Sequence, residues 1–107
     1  MGELVRARDH RGLSLTISFW RTKEGEEIDF LVQIKGQTKS RWLAIEAKMA
    51  IQGVRPVPIP NSLARELPDL QELWIVTPGG SPSKVSSWCR QTPIMQLANR
   101  LEELAEG

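Results

Sequence analysis

Two acidic residues interrupt apolar runs. Asp29 lies inside Ile28-Asp29-Phe30-Leu31-Val32, and Glu46 lies inside Leu43-Ala44-Ile45-Glu46-Ala47-Lys48. A charge in such a setting is costly unless it is paired or bound to an ion. If both segments are strands and neighbours, the carboxylates can converge. Lys48, two residues beyond Glu46, then points to the same face. Two carboxylates and a lysine at a sheet edge can hold a hard divalent cation through oxygen, with an ammonium beside the attacking water. That chemistry suits in-line hydrolysis of a phosphodiester. The bland reading is a structural ion-pair set on a solvated strand face, or a site that has lost its activity.

The segments around these residues do read as strands. Over residues 13–21, Leu13, Leu15, Ile17 and Phe19 alternate with Ser14, Thr16, Ser18 and Trp20, the period of a half-buried strand. Thr22-Lys23-Glu24-Gly25 is a polar turn with a glycine for positive φ. Alternation resumes from Glu26 to Lys35 through Ile28, Phe30, Val32 and Ile34, which predicts a β-hairpin. Residues 36–40 turn again. A third strand follows over Arg41 to Lys48, with Trp42, Ala44, Glu46 and Lys48 on one face and Leu43, Ile45 and Ala47 on the other.

The remainder of the chain changes character. Three prolines within residues 56–60 forbid helix and central strand. Asn61 is placed to cap a short helix over Ser62 to Glu66, stopped by Pro68. Leu73-Trp74-Ile75-Val76-Thr77 is continuously apolar, the mark of a central or parallel strand. Ile94, Leu97, Leu101 and Leu104 recur at helical spacing after Thr92-Pro93, predicting a helix over 94–105. The expected order is β-β-β-α-β-α, an α/β domain with a mixed sheet.

These elements carry a family resemblance. Phe19-Trp20-Arg21-Thr22-Lys23-Glu24-Gly25-Glu26-Glu27-Ile28-Asp29-Phe30-Leu31-Val32, a turn, and Ala44-Ile45-Glu46-Ala47-Lys48 resemble the PD-(D/E)xK nuclease superfamily. The segment looks most like the nuclease-like domain that follows an AAA-type ATPase in many prokaryotic proteins. The resemblance is close over residues 17–50 and looser at 73–80. It implies a restriction-endonuclease-like core, with the three-stranded antiparallel meander and one further strand in a mixed sheet flanked by helices. It also implies magnesium or manganese at Asp29 and Glu46, the Ala47 backbone carbonyl as a third oxygen ligand, and Lys48 as the catalytic lysine. Glu27 matches a frequent acidic position of the family and is a candidate supporting carboxylate. Arg21 and Lys23, near the hairpin tip, are candidate phosphate contacts, with a solvated loop as the equal alternative.

Family members open with a helix that carries another acid. Only about twelve residues precede the first strand here, and Glu3 is the sole acid in a suitable place. Residues 1–107 therefore read as a single domain whose opening helix is truncated or missing. Residues 1–12 are too polar to cover a sheet face, so a homodimer is expected, with a separate ATPase or other protein as the competing cover. No Gly-x-x-x-x-Gly-Lys-Ser/Thr occurs, so the ATPase module itself is absent. The expected function is metal-dependent hydrolysis of nucleic acid, DNA first, as an endonuclease or exonuclease. The alternative is an inactive nuclease-fold module used for dimerisation or docking.

Composition excludes other chemistries. The chain has 107 residues, a formal net charge of +1, one cysteine and one histidine. No intrachain disulfide and no Cys/His zinc cluster can form. Residues 1–55 hold ten basic and seven acidic residues, and 56–107 hold four and six; the mildly basic N-terminal half is compatible with phosphate contacts and equally with a solvated surface. His10 beside Asp9 lacks a Gly-x-Ser-x-Gly elbow and reads as a surface histidine. Cys89 reads as a buried thiol. Trp20, Trp42, Trp74 and Trp88 are the residues able to stack bases, with core packing the simpler role, above all for Trp74. The first residues lack the apolar stretch of a secretory signal, and no apolar run is long enough to span a bilayer, so a cytoplasmic location is expected.

Overall fold

The computed structural model describes residues 14–35, 40–49 and 53–106. The chain folds as a mixed α/β domain around one six-stranded sheet. Its elements are β1 (Leu15–Arg21), β2 (Glu27–Lys35), β3 (Ser40–Ala47), α1 (Asn61–Glu66), β4 (Leu73–Thr77), β5 (Ser83–Lys84), β6 (Cys89–Pro93) and α2 (Leu97–Glu106). A 3-10 turn over Ile94–Gln96 leads into α2. The sheet order is β1-β2-β3-β4-β6-β5. The first three strands form the expected antiparallel meander, and β4 joins β3 in parallel. All five residues of β4 are buried, as its unbroken apolar run requires.

The hairpin between β1 and β2 follows from its turn residues. Gly25 adopts φ 93°, a left-handed conformation that a Cβ disfavours. Thr22 closes the turn: its N–H donates to the Glu26 carbonyl at 2.8 Å, and its Oγ1 accepts from the Glu26 N–H at 3.1 Å.

Strict alternation along β2 does not hold. Ser18 pairs with Leu31 and Trp20 with Ile28, so two steps on β1 face three on β2. This bulge-like shift flips the side-chain phase around Asp29. Phe30, Val32 and Ile34 pack toward α2, whereas Ile28 and Leu31 pack on the opposite side. The expectation that Ile28 shares a face with Phe30 is corrected for that reason.

Two apolar clusters sandwich the sheet. On one side Leu15, Val32, Ile34, Leu43, Ile45, Trp74 and Val76 meet Leu97 and Leu101 of α2. On the other, Ile28, Leu31, Ala44, Leu73 and Ile75 meet Leu63 of α1, Leu70 and the partly buried Val54, Val57 and Ile59. Residues from 53 onward thus supply cover on both faces, where the sequence reading left one face for another chain. Leu101 is fully buried. Leu101→Ala is expected to destabilise the fold by about 2–5 kcal/mol, read from the midpoint of a urea denaturation curve.

Three further corrections concern the second half. Asn61 is the first residue of α1, not its cap; Pro60 holds the cap position and no side chain caps the helix. The helix expected over 94–105 begins as the 3-10 turn over Ile94–Gln96, entered from Pro93 at φ −59°, ψ 141°, and continues as α2. Strand β6, parallel to β4 and antiparallel to β5, was not expected. Its sequence, Cys-Arg-Gln-Thr-Pro, has little apolar patterning. Its buried polar groups are satisfied locally, with Gln91 Nε2 donating to Thr77 Oγ1 at 3.3 Å and Thr77 Oγ1 donating to the Gly79 carbonyl at 2.8 Å.

A carboxylate pair at the open end of the meander

The register between β2 and β3 runs from Lys35↔Ser40 to Phe30↔Ile45. Beyond that point two side chains take over the ladder. The Asp29 N–H donates to Glu46 Oε1 at 3.0 Å, and the Ala47 N–H donates to Asp29 Oδ2 at 2.9 Å. Each carboxylate thus accepts a main-chain N–H from the neighbouring strand. Asp29 and Glu46 are both half-buried, and the structure brings them together as the sequence expects.

Glu46 feels the groups around it. Burial pushes its carboxyl above the ordinary value of 4.5, and the negative charges of Asp29 and Glu27 push the same way. The hydrogen bond from the Asp29 N–H and the positive charge of Lys48 oppose that rise. Lys48 follows the last residue of β3 and is exposed, and its own N–H is fixed to the Val76 carbonyl at 3.0 Å. Asp29, Glu46, Lys48 and Glu27 therefore form one electrostatic neighbourhood.

The raised value of Glu46 has a signed consequence. Folded Glu46 holds its proton to a higher pH than the unfolded chain, so stability falls as pH rises from 4.5 through the folded value. Glu46→Gln keeps an amide oxygen for the Asp29 N–H and removes the charge. It is expected to melt at a higher temperature than the parent at neutral pH and to lose that advantage below 4.5, as read by calorimetric scans at both pH values.

The other expected residues are more scattered. Glu27 opens β2 and pairs loosely with Arg21 at 3.6 Å across an exposed part of the hairpin. Lys23 is exposed in the turn. Ala47 donates its N–H to Asp29 Oδ2. Glu3 and His10 lie outside the described residues. Cys89 is fully buried, and burial pushes its thiol above the usual range, which makes it a packing residue.

A cation at this end would be held by two carboxylates. Among the described residues no three His, Cys, Asp or Glu side chains gather as a metal-holding group. Magnesium, however, keeps several waters and is commonly bound through one or two carboxylates plus substrate phosphate. Asp29 and Glu46 each commit one oxygen to an amide, which leaves a second oxygen on each. That donor set fits a hard, partly hydrated cation.

Three of the four tryptophans act as struts. Trp20 Nε1 donates to Glu66 Oε2 of α1 at 3.4 Å, Trp74 Nε1 to Glu72 Oε1 at 3.3 Å, and Trp88 Nε1 to the Val57 carbonyl at 2.9 Å. The most exposed aromatic ring is instead Phe19, 79% accessible and tilted against Phe30 at 5.7 Å between centroids. Alternation assigns Phe19 to the core face with Leu15 and Ile17, but α2 does not extend over it. An open depression of about 260 Å³ joins Phe19, Phe30, Arg21, Glu27 and Asp29. A larger concavity of about 420 Å³ lies away from the carboxylates, between β6 and α2, where Arg90 pairs with Glu72 and Arg100 with Glu103. Those ion pairs neutralise most of its charge, so the carboxylate end is the site with chemistry to offer.

No helix among the described residues is long and apolar enough to cross a membrane. A family model described as "Domain of unknown function (DUF4143)" matches residues 1–97. No curated protein and no solved structure matches the chain.

Proposed function

The chain belongs to the DUF4143 family, and we propose that it is a metal-dependent nuclease-like protein that hydrolyses phosphodiester bonds of nucleic acid, DNA first. The observation that carries this reading is the crossed pairing of Asp29 and Glu46 at the end of the β2–β3 ladder, with Lys48 close enough to act on Glu46 electrostatically. The resemblance to PD-(D/E)xK nucleases over residues 17–50 supports it, and the mixed six-stranded sheet is compatible with the restriction-endonuclease-like core that belongs to the same proposal.

In this reading Asp29 and Glu46 would hold a magnesium or manganese ion, with the Ala47 carbonyl as an additional ligand. When bound, the ion supplies charge neutralisation at the phosphate and lowers the pKa of water. Lys48 orients the attacking water and offsets charge on the phosphate. The water oxygen attacks phosphorus, and the bond from phosphorus to the leaving sugar oxygen breaks. One proton leaves the water and one reaches the sugar oxygen, giving a phosphomonoester and a hydroxyl. Glu27 supports the site through its charge on Glu46, and Arg21 and Lys23 contact phosphate. A homodimer, or a complex with a separate ATPase or other protein, belongs to the same proposal, as does a cytoplasmic location.

One observation favours a second reading. Both carboxylates already serve main-chain amides, which is what an inactive module kept for dimerisation or docking would need of them. Cleavage of single-stranded, duplex and branched DNA, with magnesium or manganese and with chelator, separates the two. Cation-dependent cleavage by the parent supports the nuclease; its absence on every substrate supports the module.

A further inference from the structure

We infer that the outer edge of β1 is an interaction surface whose partner is β1 of a second copy, joined antiparallel about a two-fold axis at Ile17, so that two sheets run on as one. The inference gives the homodimer of the proposed function its surface and rests on nothing in its chemistry. Both faces of the sheet carry cover from this chain's own residues, and among the described residues β1 has a strand on one side only. The bonding pattern shows which groups that leaves. The Lys35 N–H donates to the Ser14 carbonyl and the Thr22 N–H to the Glu26 carbonyl, so the main chains of Ser14, Thr16, Ser18 and Trp20 turn to β2. Those of Leu15, Ile17 and Phe19 point outward. The other edge of the sheet is blunted: β5 has two residues, one of them Lys84, and follows Pro82. β1 has seven, with no proline and no charge before Arg21.

The occupant follows from the pattern of the strand itself. With Ile17 opposite Ile17, Leu15 of each copy faces Phe19 of the other, and all of these side chains lie on the α2 side. Phe19, 79% exposed, then rests on an apolar neighbour. On the opposite side Thr16 faces Ser18, a hydroxyl pair suited to a solvated face. No charge opposes a charge within residues 15–19. Moving the axis one residue, to Ser18, sets Arg21 against Leu15 and spoils the match, so the apolar pattern selects one register. A foreign strand would have to bring this complement; a second copy carries it.

The test is light scattering over a micromolar dilution series. The parent is expected at twice the 12.1 kDa mass of the chain. Phe19→Lys is expected to weaken the dimer about a hundredfold, because two rings are re-exposed and two charges enter the seam, while keeping the circular dichroism of the parent. Ile17→Cys locates the axis. The two Cα atoms of such a pair lie about 5.5 Å apart, within reach of a disulfide. Cys89 is fully buried, so the thiol introduced at position 17 is the one that copper phenanthroline oxidises across the seam. Arg21→Cys, about 27 Å from its counterpart across the same axis, is expected to stay uncrosslinked. A parent that is monomeric throughout overturns the pairing. So does a dimer indifferent to Phe19→Lys, or cross-linking at 21 equal to that at 17. Cleavage read on the same preparations keeps the two proposals apart. A dimer through β1 without cation-dependent cleavage supports the pairing and defeats the nuclease, and cleavage by a monomeric parent does the reverse.

Discussion

Lys48→Ala is expected to abolish cleavage while leaving the fold and most of the cation affinity in place. The position allows this separation. Lys48 lies just past β3, its side chain is exposed, and its backbone is held by its own N–H on the Val76 carbonyl, a bond alanine keeps. No core contact is lost. What goes is a positive charge that lowers the Glu46 pKa and, in the proposed reaction, positions the water. Loss of a group that stabilises transition-state charge costs on the order of 10²–10³ in turnover. Removing the ammonium also lets Glu46 hold its proton to a still higher pH, so cation binding by the variant should fall off sooner on acidification. Single-turnover cleavage and magnesium calorimetry on one preparation check both halves. Retained cleavage, with contaminating nuclease excluded, removes Lys48 from the mechanism.

The second large effect is at Asp29, where two substitutions separate two duties. Asp29→Asn keeps an oxygen that can accept the Ala47 N–H, but it removes the charge a cation needs. Magnesium binding and cleavage should both be lost with the melting temperature little changed. Asp29→Ala also removes the acceptor and adds a stability loss of about 0.5–1.5 kcal/mol, the net worth of one hydrogen bond, kept small because Ala47 is exposed and water can take its place. Site-specific magnesium binding by Asp29→Asn equal to that of the parent disposes of Asp29 as a ligand. If instead neither protein binds magnesium while Asp29→Ala still loses stability, Asp29 is a structural residue alone.

Much of this was readable in the residues, and the failures have physical causes. The meander was legible because Leu15 and Ile17, Val32 and Ile34, and Leu43 and Ile45 alternate over turns marked by Gly25 and residues 36–40. β4 was legible because a strand buried on both faces has no polar residue to spare. β6 was not, because its burial is met by the hydrogen bond from Gln91 to Thr77, a tertiary pairing that leaves no periodic trace. The phase of Ile28 was misread because the register shift depends on the partner strand, and period two knows nothing of partners. At the site, the nearness of Asp29 and Glu46 could be derived from adjacent strands. Their engagement with each other's main chain could not, because it requires knowing where the ladder stops. Phe19 escaped because alternation assigns a face without saying how far the covering helix reaches.

The exchange of main-chain bonds for carboxylates also bears on descent. In most enzymes a reactive acid is a burden on the fold, and a lineage that gives up the reaction is free to replace it. Here Asp29 and Glu46 fasten β2 to β3 where the ladder runs out, so selection for folding alone would preserve an acceptor oxygen at each position, which Asn and Gln supply as well as the acids do. Among the described residues the Lys48 side chain makes no hydrogen bond or ion pair and acts on Glu46 through its charge. Among descendants of this chain, an acceptor kept at 29 and 46 would therefore say little about surviving chemistry, whereas drift at position 48, or of either acid to its amide, would mark its loss.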